Sequence, residues 1–196
     1  MGNNFKQDLN DSIFDFQRVV LPKLTELKFI SGEIIPIETS MAIEFQRLIK
    51  QFDMLAGVDL WQIKNKEGIR GIANRVQWIN IYRDDFKTFT IRKHRQSGVE
   101  TEYSKRLKSI NSESWLYPYL TIQSYMLGRR REGSLAFMAI TQTKLIFETI
   151  EKGEANEDYF EKPNKADGNI FICVPWESIK KRHGKLIKIY DSGNNL

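Results

Sequence analysis

Apolar residues recur at three- and four-residue steps in two stretches near the start of the chain, the spacing of one helix face. In the first stretch, 9–29, the apolar positions are Ile13, Phe16, Val20, Leu24 and Leu27. Pro22 lies within it and is expected to kink or divide the helix. In the second stretch, 40–55, they are Met41, Phe45, Leu48, Phe52 and Leu55. The pattern therefore predicts two amphipathic helices joined by a connection at 31–36.

After Gly57 the period changes to the alternation that is typical of strands. The stretches 58–63 and 69–82 are expected to form a hairpin, and 119–127 and 134–143 a second hairpin across the basic turn GRRREG. Single strands are predicted at 87–94, 169–176 and 185–190, and short helices at 144–153 and 176–183. The polar stretch 98–110 fits a helix or a loop, and 153–169 fits a surface loop.

This order of elements predicts an α+β fold with a central mixed β-sheet and flanking helices in a single domain. Residues 1–36 are expected to form an N-terminal helix and connection, and 37–196 the α/β core. The 41% of hydrophobic residues is enough for a sizeable core. No apolar run approaches the roughly 18 residues of a membrane helix, and the start lacks the features of a signal peptide. We therefore expect a cytoplasmic protein with no membrane partner, whose oligomeric state stays open.

Familiar catalytic motifs are absent from the sequence. It contains no P-loop, no dinucleotide-binding glycine motif and no nucleophile elbow. Two histidines, His94 and His183, and a single cysteine, Cys173, offer little support for a zinc site or for a Ser-His or Cys-His nucleophile. Carboxylate chemistry is the class that remains.

Asp59 is the carboxylate that most needs an explanation, because it stands among Val58, Leu60 and Trp61 on a predicted strand. A carboxylate in apolar surroundings must be paired, hydrogen-bonded or bound to a cation. One reading is an internal ion pair between Asp59 and Arg75 across the hairpin. The other is a shared Mg²⁺, which prefers oxygen ligands and could activate a water molecule for attack on a phosphate.

The oxygen donors for such a cation would be Glu44 in AIEFQRL, Asp59 in AGVDLWQ and Gln77 in NRVQWI. A helix with Glu, a strand with Asp and a returning strand with an acid or Gln resemble the PD-(D/E)XK nuclease superfamily over residues 38–94. The resemblance implies a restriction-endonuclease-like core. It also implies Mg²⁺-dependent cleavage of DNA or RNA, with the metal held by Glu44, Asp59 and Gln77.

The family carries a lysine two positions after the third metal ligand, and this chain has Ile79 there. On the resemblance, Lys93 or Arg92 of the predicted strand 87–94 would support the attacking water instead. A Gln-x-Lys at 62–64 is the weaker alternative alignment.

The basic residues, 30 against 25 acidic ones, give a net charge of +5 and are clustered along the chain. Clustered Lys and Arg are compatible with nucleic acid as a partner. The residues expected to grip its backbone are Arg129, Arg130, Arg131, Lys180, Lys181 and Arg182. Ordinary solvated loops explain such clusters equally well, and a non-catalytic nucleic-acid- or protein-binding domain is the alternative to a nuclease. Tyrosines such as Tyr119 could stack bases or belong to the core.

Overall fold

The computed structural model describes residues 3–37, 57–64, 68–80, 87–112, 117–130, 133–164 and 167–195. Within these ranges the chain forms an α+β domain with two β-sheets and five α-helices. The helix predicted at 40–55, with Glu44, lies outside the described residues.

The N-terminal helix is divided where Pro22 predicts. It begins as α1 (Asn3–Asp15), passes through a π-helical segment (Phe16–Val20) and continues as α2 (Leu21–Glu26). Pro22 occupies the first turn of α2, where a missing N–H is tolerated, and Leu21 donates its N–H to the carbonyl of Phe16. Phe16, Val20 and Leu24, three of the predicted apolar positions, are buried against the larger sheet.

The larger sheet has six strands, which are β1 (Glu33–Pro36), β2 (Leu60–Lys64), β3 (Gly68–Ile79), β5 (Leu120–Leu127), β6 (Ser134–Gln142) and β9 (Lys188–Asp191). They lie side by side in the order β1-β2-β3-β5-β6-β9. The pair β3–β5 is parallel and the other neighbours are antiparallel, so the sheet is mixed. The strands β5 and β6 lie in the interior of the sheet and are nearly continuously buried, since both faces of the sheet are covered.

A second sheet has three strands, namely β4 (Thr88–His94), β8 (Ile170–Pro175) and β7 (Phe160–Pro163), with β8 in the middle. Three helices accompany it: α3 (Glu102–Asn111), α4 (Thr143–Lys152) and α5 (Trp176–His183). One hydrophobic cluster joins this sheet, α4 and α5 to the larger sheet. A second cluster joins the opposite face of the larger sheet to the N-terminal helix.

The α+β class and the mixed sheet are confirmed, and so are both hairpins and the helices at 144–153 and 176–183. Three expectations are wrong. The connection at 31–36 contains the edge strand β1, and the loop at 153–169 contains β7. The strand at 87–94 belongs to the second sheet, which the sequence did not reveal. Among the described residues, no helix is long and apolar enough to span a membrane.

Candidate functional site

Asp59 lies just before β2, and its side chain is exposed, whereas the flanking Val58 and Leu60 point into the protein. Its Oδ2 accepts a hydrogen bond of 2.6 Å from the backbone N–H of Asn74. The carboxylate is thus hydrogen-bonded, as its sequence position suggested, but it does not lie in apolar surroundings, because strand alternation turns this residue outward while its neighbours are buried.

Arg75 forms an ion pair with a carboxylate other than that of Asp59. Its Nη2 lies 2.7 Å from Oε2 of Glu102, the first residue of α3, and its Nη1 lies 3.4 Å from Oγ1 of Thr90. Among the described residues the ion pair of Arg75 is therefore with Glu102 rather than with Asp59. Packing of α3 onto the sheet decides this pairing.

Gln77 is half-buried, and its Oε1 accepts a 3.2 Å hydrogen bond from Nε2 of Gln123. The Asp59 carboxylate lies at the backbone N–H of Asn74, three residues before Gln77 on β3. Three residues correspond to about 10 Å along a strand. No group of three His, Cys, Asp or Glu residues within the described ranges could hold a metal ion. With Glu44 outside those ranges, the Mg²⁺ site stays a prediction, and the spacing weighs against one cation shared by Asp59 and Gln77.

The two cations considered for the attacking water have different surroundings. Lys93 is 41% exposed and pairs with Glu161 of β7, and this hydrogen bond raises the pKa of the Lys93 ammonium. Arg92 donates its backbone N–H to Glu102 over 3.4 Å, which places it in the same cluster as Arg75. Lys93 is thus engaged within the second sheet, and Arg92 is the one that lies beside Arg75.

The arginines of the β5–β6 turn contact the N-terminal helix. Arg129 Nη1 lies 2.5 Å from Asp8 Oδ1, and Arg130 Nε pairs with the buried Asp11. Arg129 also covers the ring of Trp78 at 3.9 Å. These contacts hold the helix against the sheet, so Arg129 and Arg130 stabilise the fold. Arg131 lies outside the described residues.

The basic residues of 180–182 form the last turn of α5. Lys180 Nζ lies 3.3 Å from Glu177, and Arg182 Nη2 lies 2.6 Å from Asp158. The hydrogen bond from Arg182 lowers the pKa of the Asp158 carboxyl. Positive side chains at a helix C-terminus also complement the helix dipole. Lys181 is exposed and extends the same basic turn.

A cavity of about 250 Å³ lies at one end of the larger sheet, on the face that carries the N-terminal helix. We call it the trough. It is open to solvent and crosses five strands, from β2 through β3, β5 and β6 to β9. The residues of those strands and the adjoining segments that line it include Lys28, Ser31, Gln62, Lys64, Arg70, Tyr119, Leu120, Gln142 and Lys188.

The described residues that line the trough include four basic side chains and no acidic one. Lys64 and Arg70 lie at the β2–β3 end, where the Arg70 guanidinium is 4.6 Å from the centre of the Tyr119 ring. Lys188 lies at the β9 end, and its Nζ donates to the backbone carbonyls of Lys28 and Phe29 over 3.1 and 3.3 Å. The described lining therefore has more positive than negative side chains, a composition suited to an anion.

Gln62 supplies a polar atom without a partner in the wall of the trough. The residue is 2% exposed, and its Nε2 donates a 2.7 Å hydrogen bond to the carbonyl of Ser31. Its Oε1 is buried and receives no hydrogen bond from the described residues. Buried acceptors are nearly always satisfied, so this oxygen is an exception within the wall of the trough.

Lys28 lies at the trough in an unusual backbone conformation, with a φ of 53°. It follows the end of α2, where Phe29 donates to Leu24 over 2.9 Å and Lys28 to Thr25 over 3.0 Å. Glycine is the usual residue at this position of such a helix end, because a left-handed conformation costs other residues about 1 kcal/mol or more. Strain of this kind concentrates at functional positions.

Sequence reasoning missed the trough, because its basic residues lie at positions 28, 64, 70 and 188 and form no local run. The clusters that the sequence did single out are largely engaged in ion pairs. No protein-family model matches the chain, and no curated protein or solved structure matches it either.

Proposed function

We propose that the protein binds single-stranded nucleic acid, with part of its phosphate backbone in the trough. The observation that supports this function is the open cavity across five strands, whose described lining has four basic and no acidic residues. Sequence-independent binding of nucleic acid draws on such Lys and Arg contacts with phosphate.

The distribution of the basic residues favours a ligand with several anionic groups. The strands β2 and β9 are separated by four strand spacings, which is about 19 Å. Lys64 and Arg70 lie towards one end of this distance, and Lys188 and Lys28 towards the other. A chain of phosphodiesters can contact both ends, whereas a single small anion contacts one.

The shape of the trough favours a single strand over a duplex. Proteins that bind single strands combine a basic groove with aromatic side chains on which bases stack. Tyr119 and Phe29 supply aromatic surface in the lining.

Fluorescence anisotropy of a labelled 12-nucleotide RNA, compared with the matching duplex, tests the proposal. We expect tighter binding of the single strand, with a logarithmic salt dependence whose slope is about −0.7 for each phosphate that the protein neutralises. Lys64→Gln and Lys188→Gln should each weaken binding and make this slope shallower. Lys152→Gln is the matched control, because it removes an exposed charge at the end of α4, outside the trough.

Two results would contradict the proposal. One is unchanged affinity in both trough variants, and the other is an equal decrease of affinity in Lys152→Gln.

The same samples with Mg²⁺ or Mn²⁺, and with chelator, test the cleavage that the sequence predicts. Metal-dependent cleavage that disappears in Asp59→Ala would establish a nuclease. Cleavage that persists in this variant would exclude Asp59 from catalysis.

A further inference from the structure

A second basic site lies on the opposite face of the larger sheet, because Arg70 in the trough and Arg75 are five residues apart on β3. We call it the arginine cluster, and it comprises Arg75, Arg92 and Arg106 around Glu102. Arg75 Nη2 lies 2.7 Å from Glu102 Oε2, and Arg106 Nη2 lies 3.9 Å from Glu102 Oε1. The Arg75 and Arg92 guanidiniums lie 5.5 and 5.4 Å from the centre of the Phe171 ring.

Part of the hydrogen-bonding capacity of Glu102 is used by the edge of the second sheet. Its Oε2 accepts the backbone N–H of Arg92 over 3.4 Å. Two residues earlier, the N–H of Thr90 donates to Oε1 of Gln123 over 3.3 Å. These side chains cover the outer edge of β4, which would otherwise present unpaired N–H groups. The Glu102 carboxylate therefore accepts a backbone N–H from the edge of β4 and also lies among three guanidiniums.

The charged groups around Arg92 and Glu102 are mostly positive. Arg95 and Asp167 also act on Arg92, so these groups comprise four guanidiniums and the two carboxylates of Glu102 and Asp167. Among these six groups the excess is two positive charges. Burial, together with the nearby Arg75, lowers the pKa of the Arg92 guanidinium, as expected where positive charge is crowded.

The arginines also carry buried donors without a partner among the described residues. These are the Nε atoms of Arg92, Arg95 and Arg106. Arg106 is 5% exposed, so its guanidinium is withdrawn from water. An unmatched buried charge is costly, and each unsatisfied donor adds to that cost. A bound anion would offset the unmatched charge.

We propose that the arginine cluster binds the phosphate group of a phosphomonoester. Such a group carries a charge of about −1.5 to −2 at pH 7, which matches the excess of two. Its oxygens can accept paired hydrogen bonds from planar guanidiniums, and Arg is the side chain best suited to that geometry. The side chains of Arg75 and Glu102 are 22% and 28% exposed, so the cluster can be reached from solvent. A carboxylate ligand would leave one positive charge unmatched.

Titration calorimetry with phenyl phosphate, and thermal unfolding in phosphate and in chloride at equal ionic strength, test the proposal. Phosphate should raise the unfolding temperature more than chloride does, because a ligand that binds the folded state stabilises it. Arg92→Gln should weaken phosphate binding about tenfold or more, the effect of removing one charge-assisted hydrogen bond. Arg106→Gln should also weaken phosphate binding. If the Arg106→Gln variant fails to fold, Arg92→Gln alone tests the cluster.

Lys152→Gln is the matched control, since it removes one exposed positive charge outside both the cluster and the trough. Lys28→Gln separates the two sites, because it removes a positive charge from the trough alone. Phosphate binding that is unchanged in Lys152→Gln and weakened more in Arg92→Gln than in Lys28→Gln supports the arginine cluster. The reverse pattern would show that phosphate binds in the trough and would overturn the proposal. Equal stabilisation by phosphate and chloride would overturn it too. Neither outcome depends on the RNA measurement, so this proposal and that of the trough can fail separately.

Discussion

Replacing Glu102 with Gln should remove a large, pH-dependent part of the stability of the protein. Burial raises the pKa of the Glu102 carboxyl, but the charges of Arg75 and Arg106 outweigh it and lower the pKa from 4.5 to about 2. The ionised carboxylate therefore stabilises the folded state above pH 4.5. This stabilisation decreases as the pH falls from 4.5 towards 2. In that range the unfolded chain, whose carboxyl has the higher pKa, binds the proton first and is thereby favoured.

The size of the effect follows from the two pKa values. At about 1.4 kcal/mol per pKa unit, a change from 4.5 to about 2 corresponds to about 3 kcal/mol of unfolding free energy at pH 7. About 1.4 kcal/mol of this should already be absent at pH 3.5. Gln resembles the protonated acid, so Glu102→Gln should be less stable at pH 7 by about 3 kcal/mol and should approach the native protein as the pH falls.

Urea unfolding at pH 7, 5, 4 and 3.5 measures this difference, because urea leaves the ionic strength unchanged. Glu100→Gln is the matched control. It removes a carboxylate two residues away that pairs with Lys108 at 2.6 Å on the surface, where ion pairs contribute little. If Glu102→Gln and the native protein lose stability in parallel over this pH range, Glu102 does not carry the charge interaction described for the arginine cluster.

Two further predictions concern the N-terminal helix and the trough. Asp11→Ala should lower the unfolding free energy by about 2 kcal/mol, since the buried Asp11 pairs with Arg130 and Arg129. Asp8→Ala should lower the unfolding free energy by less than about 1 kcal/mol, because the Asp8 side chain is 48% exposed. Equal decreases in the two variants, measured by urea unfolding, would refute this distinction. Lys28→Gly should raise the unfolding free energy by about 1 kcal/mol by relieving the left-handed backbone, yet should weaken RNA binding. Lys28→Gln should weaken binding without the gain in stability, so an equal gain in both variants would disprove the explanation by backbone strain.

The elements that could be read from the sequence are those whose signal is local. The apolar stripe of the first helix and the division at Pro22 lie within neighbouring turns of one segment, and the β5–β6 hairpin closes over a short basic turn. The strand β1 was missed because its four residues, Glu33–Pro36, have too weak a period. The strand β7 was missed because it lies in a polar segment and is largely exposed.

The candidate sites were harder to anticipate, because their residues are distant in sequence. Asp59 attracted attention through its apolar neighbours, yet alternation places it in solvent. Arg75 was considered as a partner for Asp59, but its own partner Glu102 comes from a helix 27 residues further on. The trough combines residues from both ends of the chain, and local basic runs gave no indication of it.

By itself the sequence determined the α+β class, most of the helices and strands, and the buried apolar face of the first helix, because such a face follows from the local spacing of apolar side chains. Tertiary structure alone decided that β3 pairs with β5 in parallel, that β4 joins a second sheet, and which charges meet. The reason is physical. A hydrophobic period is a property of one segment, whereas an ion pair or a cavity depends on distances that exist only after separate segments have packed together.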